Sequence, residues 1–264
     1  PTGSGKTTTL YAILTKLNDP ETKIITIEDP VEYRLSGINQ SQVERSHGYD
    51  FASGLRSILR QDPDIVMVGE IRDLETADIA INAALTGHLV LSTLHTNDAS
   101  GTVPRFLAMG VKAFLLAPAL NAMIGQRLVR KICENCKTQD KIDSETLQHI
   151  RSILSPIKSL KGYNLDEKKL KELKFYKGQG CDVCQKLGFK GRMGIYEIMS
   201  MSPEVEKLIL SGHVSEYDMR KVSEKNGMIN MLQDGILKAL EGITSLDEIM
   251  RVAKDTSYEA DIEI

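Results

Sequence analysis

The chain has 264 residues, 41% of them hydrophobic and 26% charged, with a formal net charge of −3. That length supports one large domain or two modest ones, and the slightly acidic balance speaks against a basic nucleic-acid binder. The longest apolar run, around Ala113 to Leu120, is too short to span a membrane.

Residues 1 to about 126 alternate helix and strand. Thr7 to Leu17 reads as a helix behind a glycine-rich turn, and Lys23 to Ile27 (KIITI) as a short β-branched strand. Phe51 to Gln61 has helical spacing, broken by Asp62-Pro63-Asp64. Ile65 to Val68 (IVMV) is a continuous apolar run, as expected of a strand covered on both faces. Thr76 to Leu85 is helical, His88 to Leu94 is a third strand, and Asp98 to Met109 and Ala113 to Gln126 read as helices. Such alternation predicts an α/β fold with a mainly parallel sheet.

After Arg127 the character changes. A lysine-rich stretch, about Lys137 to Lys177, carries no long strand signal, and Lys158 to Lys174 within it reads as a solvated face. Arg192 to Met199 (RMGIYEIM) reads as a strand. Pro203 to Lys254 is helical, with breaks at Gly212, Gly227 and Gly242, and the acidic tail from Asp255 to Ile264 is expected to fray.

The first residues carry the sharpest chemistry. PTGSGKTTTLYAIL follows the phosphate-binding pattern G-x-x-x-x-G-K-[ST] from its second place onward. Pro1, Thr2, Gly3 and Ser4 fill the variable places, and Gly5, Lys6 and Thr7 complete it. The pattern's leading glycine would precede Pro1, so the chain reads as a piece of a longer protein. Gly3 and Gly5 can take backbone angles closed to other residues, which lets successive N–H groups converge on an anion at a helix N-terminus. Lys6 is expected on the β- and γ-phosphates and Thr7 on Mg²⁺, with Thr8 beside it.

Carboxylates end the strands that follow. Glu28 and Asp29 lie just past KIITI, with Glu32 close behind, where ligands bind in open α/β sheets. Glu28 is expected to orient or activate water. Glu70 follows IVMV and Gly69, the layout of a second nucleotide-binding motif whose carboxylate supports Mg²⁺ or water. Asp64 lies at the wrong end of that strand to substitute. His88 and His95 bracket the third strand, and His95, at its far end, is placed to sense a γ-phosphate; His88 has the weaker case.

Cys133-x-x-Cys136 and Cys181-x-x-Cys184 form a second constellation. Four thiolates in two short pairs suit tetrahedral Zn²⁺ in a structural site. Redox dithiols are the rival, without thioredoxin-like context to support them.

Together these residues resemble the secretion-superfamily ATPases that drive type II secretion and type IV pilus assembly. The likeness rests on PTGSGKTTTLY, ITIEDPVEY, LRSILRQDPDIVMVGEIRD, TGHLVLSTLHTNDA, the cysteine pairs, GRMGIYEIM and DGILKALEGITSLDEIMRV. It implies a P-loop NTPase with a RecA-like, mainly parallel sheet carrying helices on both faces. The core would span 1–126, a zinc-binding region with a variable insert 127–199, a helical subdomain 200–254 and a flexible tail 255–264. In family terms Glu28 lies in the aspartate box, Glu70 in the Walker B motif and His95 in the histidine box. The resemblance further implies ATP, Mg²⁺ and Zn²⁺, a homohexamer with ATP at subunit borders, and an inner-membrane platform protein as the load on a cytoplasmic motor. Retraction members lack the cysteine pairs, so this chain resembles an extension or export motor. Trans-acting arginines belong to a preceding domain; Arg56, Arg60 and Arg72 remain with open roles. Two rivals stand beside this reading: a non-hydrolytic, zinc-stabilised scaffold gated by nucleotide, and a nucleic-acid translocase of related fold, which the acidic charge disfavours.

Overall fold

A computed structural model describes residues 3–157 and 173–253. The expectations placed on Pro1, Thr2, most of the Lys158 to Lys174 stretch and the tail lie outside the described residues.

Four short strands form one parallel sheet in the order β2-β1-β3-β4: β1 (Ile24–Glu28), β2 (Asn39–Gln42), β3 (Ile65–Val68) and β4 (Leu89–Ser92). The period-two alternation of a strand divides β1 and β3 between two helix layers. Ile24, Ile65 and Met67 pack with Tyr11 and Leu14 of helix α1 (Lys6–Leu17). Ile25, Ile27, Val66 and Val68 face the other way, into a core shared with α2 (Phe51–Leu59), α3 (Leu74–Leu85), α4 (Thr102–Ala108) and α5 (Ala113–Ala119). Helices therefore cover both faces, and β1 and β3 are buried throughout. A side chain on Gly54 would run into Ile27, so glycine there lets α2 lie directly on β1.

The helix read from Ala113 to Gln126 is cut short. Pro118 occupies the last turn of α5, Leu120 is extended, and strand β5 runs from Ala122 to Ile132. The apolar residues of Ala119 to Met123 fit a helical repeat equally well, and only pairing decides between the two. That pairing comes from β8 (Phe189–Ser200), antiparallel from Ala122↔Ser200 to Ile132↔Phe189. The expected border at residue 126 thus falls inside a strand. Met123 and Met199, at one end of this ribbon, join the core beside the sheet; Val129 and Ile195, further along, join a second core.

The segment between the cysteine pairs stands on two paired feet, β6 (Lys137–Asp140) and β7 (Phe175–Gly178), with α6 (Ser144–Leu154) beyond β6. The helical C-terminal region has its expected breaks, giving α7 (Pro203–Leu210), α8 (Glu216–Lys225), α9 (Met231–Leu240) and α10 (Leu246–Ala253). It does not pack as one unit. Val205, Ile209 and Met219 of α7 and α8 enter the core beside the sheet, whereas α9 and α10 enclose the ribbon's outer half with α6.

Candidate nucleotide site and cysteine cluster

α1 starts directly behind Gly5, whose φ of 86° is left-handed, as is the 79° of Gly3. A Cβ built on Gly3 would meet nothing within 4 Å, so the loop borders open space. That space is a hollow of about 550 Å³ to which the loop contributes Gly3 through Thr8, β1's end Glu28 and Glu32, β3's end Glu70 and β4's end His95. All three strand-end residues singled out from sequence therefore share one hollow with Lys6. Burial holds the Lys6 ammonium below its ordinary pKa, and Arg127 adds like-charge repulsion.

Two of the three form one cluster. Glu70 meets the His95 Nε2 at 2.8 Å through one carboxylate oxygen and Arg72 at 2.6 Å through the other. Burial works against the charge of Glu70, but the bonds from His95 and Arg72 outweigh it and hold the carboxyl below its usual range. Thr93 donates to the Gly69 carbonyl at 2.7 Å and the Ile71 N–H donates to the Thr93 carbonyl, which ties the Glu70 turn to the end of β4.

Glu28 is differently placed. It is only 2% exposed and faces α1, as Ile24 and Thr26 do. The Tyr11 hydroxyl donates to one carboxylate oxygen, while Thr26 at 2.5 Å and Gln40 at 3.2 Å donate to the other. Both oxygens are thus occupied by protein. The Tyr11 hydroxyl also accepts the Glu32 N–H at 3.3 Å, so the buried acid anchors the turn that carries the exposed Glu32. Burial and the bond to Glu28 push the Tyr11 phenol far above its ordinary pKa.

Other candidates lie elsewhere. His88 bonds the Ala83 carbonyl at 2.9 Å and helps close α3, at the opposite end of β4 from the hollow. Asp64 accepts the Lys23 N–H at β3's start. Arg56 pairs with Glu75 on the surface and Arg60 bonds Ser57, which leaves Arg72 as the arginine of the three that lines the hollow.

The four cysteine sulfurs all lie within 4.8 Å of one another, with separations of 3.9, 3.8 and 3.7 Å for Cys133–Cys181, Cys136–Cys184 and Cys181–Cys184. A tetrahedron with metal–sulfur bonds of about 2.3 Å has edges of about 3.8 Å, so the spacing fits a tetrathiolate metal. N–H groups surround the sulfurs: Gly180 donates to Cys136, Cys181 and Gly188 donate to Cys184, and the Asn135 amide donates to Cys181. The Asn135 bond leads in drawing the Cys181 thiol down to about 6 and the Cys181 N–H leads in lowering Cys184, whereas burial leads in pushing Cys136 up to about 11.

A glycine-rich loop at a helix N-terminus, facing acids at the carboxyl ends of parallel strands, defines a P-loop nucleotide-binding α/β fold. The chain belongs to the type II/IV secretion system protein family, which matches residues 1–251. It is 48% identical over 255 residues to the type IV pilus assembly ATPase PilB of Pseudomonas aeruginosa, an overlap of 97% of this chain and 42% of that protein. It is 46% identical over 256 residues to the type II secretion system ATPase E of Vibrio cholerae, covering 97% of this chain and 48% of that one. The chain therefore spans less than half the length of these relatives. Among solved structures, the pilus retraction motor PilT with bound ADP is similar at TM-score 0.65 and 29% identity, over 96% of this chain and 59% of that one.

Sequence reasoning passed over Tyr11, Gln40 and Gln126. Tyr11 had one visible signal, a hydroxyl one helical turn beyond Thr7 on the face of α1 that packs on the sheet. Gln126, next to Arg127 in a mixed polar and apolar stretch, carried no such signal.

Proposed function

We propose that this chain is the ATP-hydrolysing part of a motor for type IV pilus extension or type II protein secretion. One observation carries the reading: the phosphate loop and the ends of β1, β3 and β4 border a single hollow, in a chain nearly half identical to proteins named for those tasks. Lys6 and the N–H groups of residues 3–8 hold the phosphates, with Pro1 and Thr2 completing the loop. Bound Mg²⁺ neutralises phosphate charge, and the oxygens of Thr7 and Glu70 are the pair that would hold it. Glu32 takes the water-orienting role that the sequence assigns to Glu28, a reading supported by its exposed carboxylate on the hollow and by the burial of Glu28 beneath α1. His95, bonded to Glu70, links the γ-phosphate position to the loop beyond β4.

The cysteine cluster holds Zn²⁺ as a structural site, since all four ligands are protein. The chain works as a homohexamer with ATP at subunit borders, peripheral to the cytoplasmic face of a bacterial inner membrane, and pushes on a platform protein. The relatives' names support the assignment to pilus and secretion machinery. Among the described residues no helix is long and apolar enough to cross a membrane.

Glu70→Gln tests the reading. Steady-state phosphate release is expected to fall at least about 100-fold while ATP still binds, because charge placement rather than shape is lost. Equal turnover by both full-length proteins, near zero in each, would instead indicate a scaffold; stimulation by single-stranded DNA would indicate a translocase.

A further inference from the structure

We propose that Gln126 is a positioning residue for the phosphate loop: its side-chain amide sets the Ser4–Gly5 peptide so that the Gly5 N–H faces the phosphates. The inference rests on the phosphate-loop reading above.

Gln126 belongs to β5, far from the loop in sequence, yet it lies directly behind it and is 8% exposed. Its Nε2 donates to the Ser4 carbonyl at 2.8 Å, and its Oε1 accepts from the Thr9 hydroxyl at 2.8 Å. The carbonyl can only accept, so the amide can be seated in one sense alone; turned over, it would set two acceptors against each other. Gln126 therefore ties the loop to the first turn of α1.

The consequence follows from peptide geometry. In a planar trans peptide the C=O and N–H point in opposite directions. With the Ser4 C=O drawn back to Gln126, the Gly5 N–H is turned to the other side, where the hollow lies. Gly5 also makes room for the contact, because a Cβ there would sit 2.9 Å from Gln126 Nε2. The same corner of the ribbon braces the other wall of the site. Glu197 of β8, paired opposite Gly125, accepts the Ala99 N–H in the loop that follows His95. A Cβ on Gly125 would sit 2.7 Å from the Glu197 side chain. Two adjacent residues of β5 thus permit the ribbon to touch both the phosphate loop and the His95 loop.

The test uses full-length protein and reads ATP and ADP affinity, turnover at saturating ATP, and melting without nucleotide. Gln126→Leu removes both bonds at similar volume. Its Kd for ATP and for ADP is expected to rise about tenfold, the cost of one misdirected phosphate donor, with kcat at saturation within about threefold. Loss of packing alone would lower the melting temperature and leave Kd unchanged in the folded fraction. Gln126→Glu keeps the Thr9 bond but opposes a carboxylate to the Ser4 carbonyl, and is expected to bind more weakly still. Unchanged affinity in folded Gln126→Leu overturns the proposal. Should that variant not fold, Thr9→Val decides: a loss of about threefold in affinity supports the proposal and none overturns it. Lys6→Ala separates the two readings. If it binds ATP normally, the phosphate-loop reading fails and this inference with it; if it loses ATP while Gln126→Leu does not, only the role of Gln126 fails.

Discussion

Two stretches of the β5–β8 ribbon are built by different physics. Around Gln126, near the ribbon's middle, the site is backbone: left-handed glycines, strand ends and a hydrogen bond between residues 122 positions apart. The apolar packing of the whole sheet stands behind it. At its Ile132 end, four sulfurs gather on short turns with four-residue strands beside them. A metal held by the four thiolates would supply the order there. A site of the first kind should tolerate loss of a ligand and fail on loss of one charge; a site of the second kind should do the reverse.

The largest expected effect lies at the hollow. Glu32→Gln is expected to lower turnover at least about 100-fold with ATP affinity and melting temperature preserved, measured by phosphate release and calorimetry. Retained turnover would break the comparison at its stronger end. Chelation of the proposed zinc comes next. It is expected to loosen residues 132–140 and 175–188, read as faster amide exchange, while ATP affinity stays within about threefold, because Gln126 sits near the middle of β5, roughly 20 Å of strand from Cys133. Equal loosening of the phosphate loop would show that the two sites are not separate.

Glu248 sharpens the contrast, since it braces the ribbon beside the cysteine end. It is buried and bonds Arg130 at 2.7 Å and Arg251 at 2.8 Å. Burial opposes its charge, but the two arginines prevail and hold its carboxyl at about 2 against the ordinary 4.5. Because the folded value is the lower one, this contribution is complete above about pH 5 and is lost as pH falls toward 2. Glu248→Gln is expected to cost about 2 kcal/mol at pH 7, with the difference shrinking in acid. A difference independent of pH would contradict the assignment. The smallest effect belongs to His88→Ala, about 0.5 kcal/mol or less with turnover unchanged, since His88 only helps close α3.

Much of this was legible because the chemistry is local. The phosphate loop, the IVMV strand with Glu70 and the cysteine pairs each occupy a few consecutive residues. What could not be read is what pairing decides. β2 is NQSQ, polar and four residues long, and becomes a strand only by lying parallel to β1. Ala122 to Gln126 fits a helix until β8 claims it. Glu28 was correctly set at a strand end, but whether its carboxylate is free depends on Tyr11 and Gln40, which come from a helix and a strand on either side. Strand alternation helps afterwards: Ile24, Thr26 and Glu28 share the face that α1 covers, which is why Glu28 is buried while Glu32, in the turn beyond, is not.

The central claim is that one nucleotide is gripped by the loop while acids from neighbouring strand ends attend its terminal phosphate. A structure with a non-hydrolysable ATP analogue tests it directly. The account predicts phosphate oxygens within hydrogen-bond reach of Lys6 Nζ and the Gly5 N–H, with Glu70, His95 and Glu32 around the γ-phosphate. A triphosphate bound away from Lys6, or a γ-phosphate with none of those three side chains near it, would contradict the account.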